Sequence, residues 1–296
     1  MADNIAISAG LKNKRSLWIA FLLTSNYMIA EAVGGILTGS LALLADAGHM
    51  LTDAGALGLA LFAIRYAERP ASPQKTYGFL RTEILAALAN SLALLLVSGY
   101  ILYEAWSRFR EPPEVQGAPM MIVATIGLVL NFVSMRMLAS AAGESLNAKG
   151  AYLEVLSDTL GSVGVIVAGV IVMTTGWNLA DPIIGAGIGL FIVPRTWTLL
   201  KDSVHILLEG TPARIDLAAL ETAVKSVKGV ILIHDTHVWT LTSGWDALSA
   251  HVTVEDGAWQ PRILTELQAL LITDFQIEHV TLQLEEKDRP PERWSV

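Results

Sequence analysis

The 296-residue chain contains no cysteine. Disulfides and thiolate metal ligands are therefore excluded, and any metal site must be built from histidine, aspartate and glutamate. Charge is scarce too: Asp, Glu, Lys and Arg make up 16% of the chain, against 53% hydrophobic residues and a mean hydropathy of +0.50. An ordinary soluble domain is about one quarter charged, so this balance points to a membrane protein with the lipid bilayer as its main partner. The net charge is −8 and there is no basic stripe, which argues against a nucleic-acid partner. A G-x-x-x-x-G-K-[ST] loop is missing, so no nucleotide is expected, and the H-E-x-x-H helix of an intramembrane metal-dependent hydrolase is missing as well. The opening MADNIAISAGLKNKRS is polar and lacks a cleavage-site pattern before the first apolar run. That run reads as a retained membrane helix, not a signal peptide.

Six stretches are apolar enough to span a bilayer, which takes about 20 residues each: 16–37, 41–65, 82–105, 119–140, 150–175 and 181–200. The first two are separated only by Thr38-Gly39-Ser40 and form a tight helical hairpin. Lys and Arg are asymmetric between the two sides. One side collects Lys12, Lys14, Arg15, Arg65, Arg69, Lys75, Arg81, Arg136, Lys149, Arg195 and Lys201, the other only Arg108 and Arg110. The positive-inside rule then places both termini in the cytoplasm. In the fifth and sixth spans, Ser157/Gly161, Gly164/Ala168 and Gly185/Gly189 are small residues four apart, the spacing that lets helix backbones approach closely in lipid.

From about residue 211 the pattern changes. Residues 1–210 hold 15 acids and 13 bases, and residues 211–296 hold 13 acids and 7 bases, so the second part is a separate acidic, water-soluble unit. IDLAALETAVKSV has helical period and ends at Lys228-Gly229. VILIHDTHVWTL and ALSAHVTVED read as strands joined through Thr242-Ser243-Gly244, WQPRILTELQALLITDF as a second helix and IEHVTLQLEE as a third strand. The order αββαβ makes a small sheet with helices on one face. The expected fold is an all-α membrane domain of six transmembrane helices plus a small cytoplasmic α+β domain, ferredoxin-like or metallochaperone-like. The expected divisions are a cytoplasmic N-terminal tail at 1–15, the membrane domain at 16–209, the cytoplasmic domain at 210–288 and a polar C-terminal tail at 289–296.

Two carboxylate-bearing pairs stand out within the apolar segments: His49-x-x-x-Asp53 in the second span and Glu154-x-x-x-Asp158 in the fifth. Residues four apart share a helix face, so each pair aims two metal-competent heads in one direction. Ionisable groups at membrane depth are costly and usually line a substrate path. Packed together, the pairs would supply four N/O ligands for Zn²⁺ or a similar divalent ion. The alternative is two structural ion networks, and neither pair has a Lys or Arg neighbour in its own segment to neutralise it. Asn26, Asn90 and Asn131 read as interhelical hydrogen-bonding glue, whereas Glu31, a carboxylate in the first span, stands apart from them. Four of the six histidines fall in the strands: His234, His237, His251 and His279. Strand alternation points His234 and His237 to opposite faces, and puts His279 and Glu285 on one face of the last strand. A metal cluster of His237, His251, His279 and Glu285 competes with a scatter of surface and core histidines. His205, in the connection, has no assigned role.

Several stretches together are similar to one family: SLALLADAGHMLTDAGAL, TYGFLRTEILAALAN, LNAKGAYLEVLSDTLGSVGVI, LLEGTP and HDTHVWTLTSG. The chain resembles the cation diffusion facilitator family of divalent-metal/proton antiporters, most closely its bacterial zinc, cobalt and cadmium resistance branch, over about residues 16 to 286. The resemblance implies export of Zn²⁺, or Cd²⁺ and Co²⁺, from the cytoplasm in exchange for protons, by a homodimer in the bacterial inner membrane and without enzymatic chemistry. It places the transport site on His49, Asp53, Glu154 and Asp158. Glu154 stands where zinc members commonly have His, which makes a harder, more oxygen-rich site. The regulatory cytoplasmic metal site falls on His237, His251, His279 and Glu285, with His234 as adjunct. A charge interlock falls on Arg81 and Glu209, with Arg in place of the more usual Lys. A His-rich loop between spans four and five is absent, and the loop after span two lacks histidine. A passive metal channel and a metal-sensing membrane protein are the competing readings.

Overall fold

An apolar run in lipid must satisfy its own backbone hydrogen bonds, and a helix does so along its length. In the computed structural model the first six elements are helices: α1 (Asp3–Thr38), α2 (Leu41–Ala67), α3 (Thr82–Arg110), α4 (Gly117–Ala139), α5 (Leu146–Thr175) and α6 (Ala180–Leu207). Five of them, all but α2, contain windows long and apolar enough to cross a membrane among the described residues. α2 has 27 residues, about 40 Å of helix, the length a sixth span requires. The structure describes residues 3–67, 72–139, 146–255, 257 and 259–286, with side chains excepted at 3–17, 19–20, 52, 56–57, 60, 63–67, 137–139 and 146–154. The side chain of Glu154 and the tail expected at 289–296 lie outside the described residues. The helices outrun the expected spans at several places. α1 already begins at Asp3, within the stretch expected as a tail, α3 runs on to Arg110, α5 begins at Leu146 and α6 continues to Leu207.

The chain divides into two compact units, Met1–Glu68 with Ala86–Leu200, and Arg69–Leu85 with Lys201–Val296. In the first unit, large apolar side chains such as Leu23, Ile36, Leu37, Leu96 and Tyr103 face outward, while Glu31, Asp46, His49 and Asp181 are buried. This inverts the soluble pattern and suits a hydrocarbon solvent. α1 packs chiefly on α2 and α4 on α5, and α2 also touches α5. Small residues mark the closest approaches: a Cβ on Gly161 of α5 would lie 2.7 Å from Asp46 Oδ1 of α2, and one on Gly185 of α6 would lie 3.1 Å from the Leu41 backbone.

The α1–α2 turn is held by a carboxylate from a distant helix. Gly39 takes a positive φ of 71°, and the first turn of α2 presents backbone N–H groups that have no partner within the helix. Asp181, fully buried at the start of α6, accepts from Leu41 N at 2.6 Å, Ala42 N at 3.2 Å and Ser40 Oγ at 2.5 Å. Arg108 of α3 donates to Gly39 O and stands 3.7 Å from the same carboxylate. One acid thus caps α2 and ties three helix ends together.

The second unit contains α7 (Leu217–Lys225), β1 (Val230–Thr242), β2 (Trp245–Val254), α8 (Gln260–Phe275) and β3 (His279–Glu286), the expected αββαβ order. The sheet order is β1-β2-β3, with β1/β2 antiparallel and β2/β3 parallel. Leu248, Ala250, Val252 and Val254 of β2 pack with Ile263, Leu267 and Leu271 of α8 and Leu220 and Val224 of α7. The odd-numbered residues of β2 therefore face away from the helices. Asp216 caps α7 by accepting from Ala218 N and Ala219 N. Arg214 donates to Phe275 O and Gln276 O at the end of α8, and pairs with the buried Asp246 at 2.6 Å. The 69–85 stretch joins this unit through polar contacts: Glu83 accepts from the hydroxyls of Thr242 and Ser243.

The Asp181 cap yields a first expectation. Asp181→Ala strips three donors of their acceptor and should lower stability by about 1–3 kcal/mol, seen as a lower apparent melting temperature in detergent, while Asp181→Asn should lose less. An unchanged melting temperature in Asp181→Ala would show that the α2 end does not depend on this cap.

Candidate metal centres

In the first unit, α2 and α5 bring three of the four expected ligands together. His49, Asp53 and Asp158 each offer one ligand atom, and these atoms lie within 4.8 Å of one another. His49 Nε2 and Asp158 Oδ1 are 3.2 Å apart, at side-chain exposures of 6% and 13%. That separation is close to the edge of a tetrahedron around Zn²⁺, whose bonds are about 2.0–2.1 Å. Among the described residues, His49 Nδ1 is also buried without a hydrogen-bond partner. A buried polar atom left in this state is costly unless something binds it, and a divalent cation would. Glu154 precedes Asp158 by one turn of α5.

Sequence reasoning passed over Asp46. It lies three residues before His49 on the same face of α2, is 3% exposed, and its carboxylate rests on Gly161 of α5. The i, i+3 spacing to His49 was the available signal. Asp46 in turn neighbours the carboxyl of Glu31, the α1 residue that stood apart in the sequence, and Tyr27 Oη donates to Glu31 Oε1 at 2.5 Å. The metal-competent trio thus stands beside a second buried acidic pair, on α1 and α2, that reaches toward α4 through the Tyr27 hydroxyl and Val123 O at 3.3 Å.

In the second unit the metal-competent group is His234, His251 and Glu285, again with one ligand atom from each within 4.8 Å. His251 Nδ1 is 2.9 Å from Glu285 Oε1, His234 Nε2 is 3.3 Å from Glu285 Oε2, and the two imidazole centres are 5.4 Å apart. The expectation that His234 and His237 face opposite ways is corrected by the register. His234 pairs with His251 and His237 with Ser249, so β1 carries one extra residue between them. That residue belongs to a β-bulge in which Asp235 takes a positive φ of 50°. The bulge reverses the alternation and turns both histidines to the face away from the helices. His237 Nε2 contacts Asp235 Oδ1 at 3.1 Å and does not join the trio. His279 shares that face but pairs with Ala247, six positions along β3 from Glu285, or about 20 Å at strand rise. Its ring stands edge-on to Tyr77, centroids 5.6 Å apart.

Arg81 Nη2 and Glu209 Oε1, the expected interlock, are 2.8 Å apart at side-chain exposures of 35% and 62%. At that exposure the pair is worth at most about 1 kcal/mol, so its value is in orientation. Both residues line a cavity of about 500 Å³, with Tyr77, His237, Trp239 and Ser249 among its walls. His205, unassigned in the sequence, contacts Thr211 O at 2.8 Å through Nε2 and so secures the connection after α6.

Residues 17–208 match the model of the cation efflux transmembrane domain, and residues 212–287 that of the cation efflux protein cytoplasmic domain. The chain belongs to the cation efflux family, the cation diffusion facilitators. As a family member it is a multi-pass membrane protein of a transporter family, not of an enzyme family. It is 52% identical to the metal cation efflux system protein CzcD of Cupriavidus metallidurans over 92% of this chain and 87% of that one. It is 43% identical to the cadmium, cobalt and zinc/H(+)-K(+) antiporter of Bacillus subtilis over 92% and 89%. It is also 43% identical to the zinc transporter ZitB of Escherichia coli over 92% and 88%.

If the α2–α5 trio holds an ion, Asp53→Ala and Asp158→Ala should each weaken Zn²⁺ binding by at least about 100-fold, or more than 2.7 kcal/mol, while the protein stays folded. Zinc titration of purified protein against a competing chelator measures this. Unchanged affinity in either variant would remove that residue from the site.

Proposed function

We propose that this chain exports divalent transition-metal cations from the cytoplasm in exchange for protons, Zn²⁺ foremost and Cd²⁺ and Co²⁺ with it. The observation that carries the reading is the convergence of His49, Asp53 and Asp158 inside an apolar helical unit. We assign Glu154, one turn before Asp158, as the fourth ligand. The printed functions of the relatives, zinc, cadmium and cobalt among their cargoes and protons among the exchanged ions, support the same reading.

The chemistry requires no covalent step. A divalent ion takes the unprotonated imidazole of His49 and the ionised carboxylates of Asp53, Glu154 and Asp158, so ion and protons compete for the same lone pairs. Exposing that site alternately to the two sides of the membrane couples the two fluxes. One imidazole among three carboxylates is an oxygen-rich set, compatible with all three metals. The Lys/Arg asymmetry supports a topology with both termini in the cytoplasm, and the bacterial relatives support an inner-membrane protein.

His234, His251 and Glu285 form the regulatory metal site in this reading. The protein works as a homodimer, and metal bound there offsets the mutual repulsion of two acidic cytoplasmic units. The Arg81–Glu209 pair is the interlock at the root of that unit, its planar guanidinium fixing the direction of a carboxylate.

Proteoliposomes loaded with a metal-sensitive dye test the reading. An imposed pH gradient should drive Zn²⁺ against its own gradient, and Asp158→Ala should abolish that movement. Flux that ignores the pH gradient would favour a passive channel, and binding without flux would favour a metal sensor. Either outcome contradicts the antiport reading.

A further inference from the structure

His251 is contacted on both ring nitrogens by carboxylates. Nδ1 faces Glu285 at 2.9 Å, and Nε2 faces Asp235 Oδ2 at 3.9 Å. The first contact belongs to the group that can hold a metal; the second lies on the far side of the ring. Asp235 is not spare surface charge. It sits in the β1 bulge, in the left-handed region at φ 50°, and its other oxygen contacts His237 Nε2 at 3.1 Å. The residues around it are anchored: Ile233 and Val238, which flank the bulge, are both in the buried core of the sheet. The bulge therefore holds one carboxylate between two imidazoles, directly behind the central histidine of the trio.

We propose that Asp235 is a positioning residue for the cytoplasmic metal site, acting on the ion through His251. When an ion takes the Nδ1 lone pair, the ring proton resides on Nε2. The carboxylate of Asp235 faces that N–H, and a movement of less than 1 Å turns the 3.9 Å approach into a charge-assisted hydrogen bond. Such a carboxylate behind a ligating imidazole fixes ring orientation and raises ligand basicity. His237 enters from the other side, holding Asp235 Oδ1 so that Oδ2 stays directed at His251. This gives His237 a task through Asp235 without making it a ligand. The inference rests on the reading of His234, His251 and Glu285 as a metal-regulatory site, and adds the residue that sets its affinity.

The test uses full-length protein in detergent carrying Asp53→Ala and Asp158→Ala, so that the helical site no longer contributes, titrated with Zn²⁺ against a chelating dye. Asp235→Asn and Asp235→Gly are added to that parent. Both residues tolerate the left-handed backbone, so a purely structural role for Asp235 predicts an unchanged Kd. Positioning through His251 predicts that each raises the Kd about 10–100-fold. The visible spectrum of bound Co²⁺ at saturation should match the parent, because the ligand set is the same. An unchanged Kd in both variants overturns the proposal, and so does an altered Co²⁺ spectrum, which would make Asp235 a ligand. A parent that binds no ion at this site, while Glu285→Ala changes nothing, would instead remove the regulatory reading itself.

Discussion

Charge inside an apolar bundle is the constraint on which the rest of this structure depends. Each carboxylate held away from water needs a partner, a proton or a cation, and the first unit gathers several of them. Asp181 solves the problem structurally. It accepts from two backbone N–H groups and a serine hydroxyl, with Arg108 close by, and is satisfied without any ion. The His49, Asp53 and Asp158 group is different: its ligand atoms lie within 4.8 Å of one another, and His49 keeps a ring nitrogen without a hydrogen-bond partner among the described residues. The contrast separates an acid that builds the bundle from acids that, in the proposed function, take the cargo. Close helix approach serves both, since Gly161 brings α5 against Asp46 and Gly185 brings α6 against the start of α2.

The second unit meets the same need by another route. Its sheet buries one face on α7 and α8 and carries the metal-competent side chains on the other, and the bulge between His234 and His237 decides which of them reach that face. Without the extra residue at Asp235, His234 and His237 would point to opposite sides. With it, a metal-competent trio and an Asp235–His237 contact lie next to each other on one surface.

Much of this was legible in the residues. Hydropathy located the helices because lipid leaves an apolar run little alternative, and i, i+4 spacing paired His49 with Asp53. The αββαβ order followed from the change of period after residue 211. Other features were not legible, for physical reasons. Asp46 carries the right spacing to His49 but gains its meaning only from the approach of Gly161 on another helix. The bulge is a property of strand pairing, so simple alternation misassigned the faces of His234 and His237. His279 shares the correct face, and only the β2–β3 register shows that it pairs with Ala247, four positions along β2 from His251. The grouping of residues 69–85 with the second unit depends on Glu83, Arg81 and Tyr77 meeting residues far along the chain.

The central claim is that metal and protons compete for the same buried ligands. Its most direct test is the proton release that accompanies Zn²⁺ binding to purified protein in weakly buffered detergent solution, followed with a pH indicator. The account predicts net proton release on Zn²⁺ addition near neutral pH, and a smaller release in Asp158→Ala by the share belonging to the helical site. Full Zn²⁺ binding at that site with the same proton release in both proteins would contradict it.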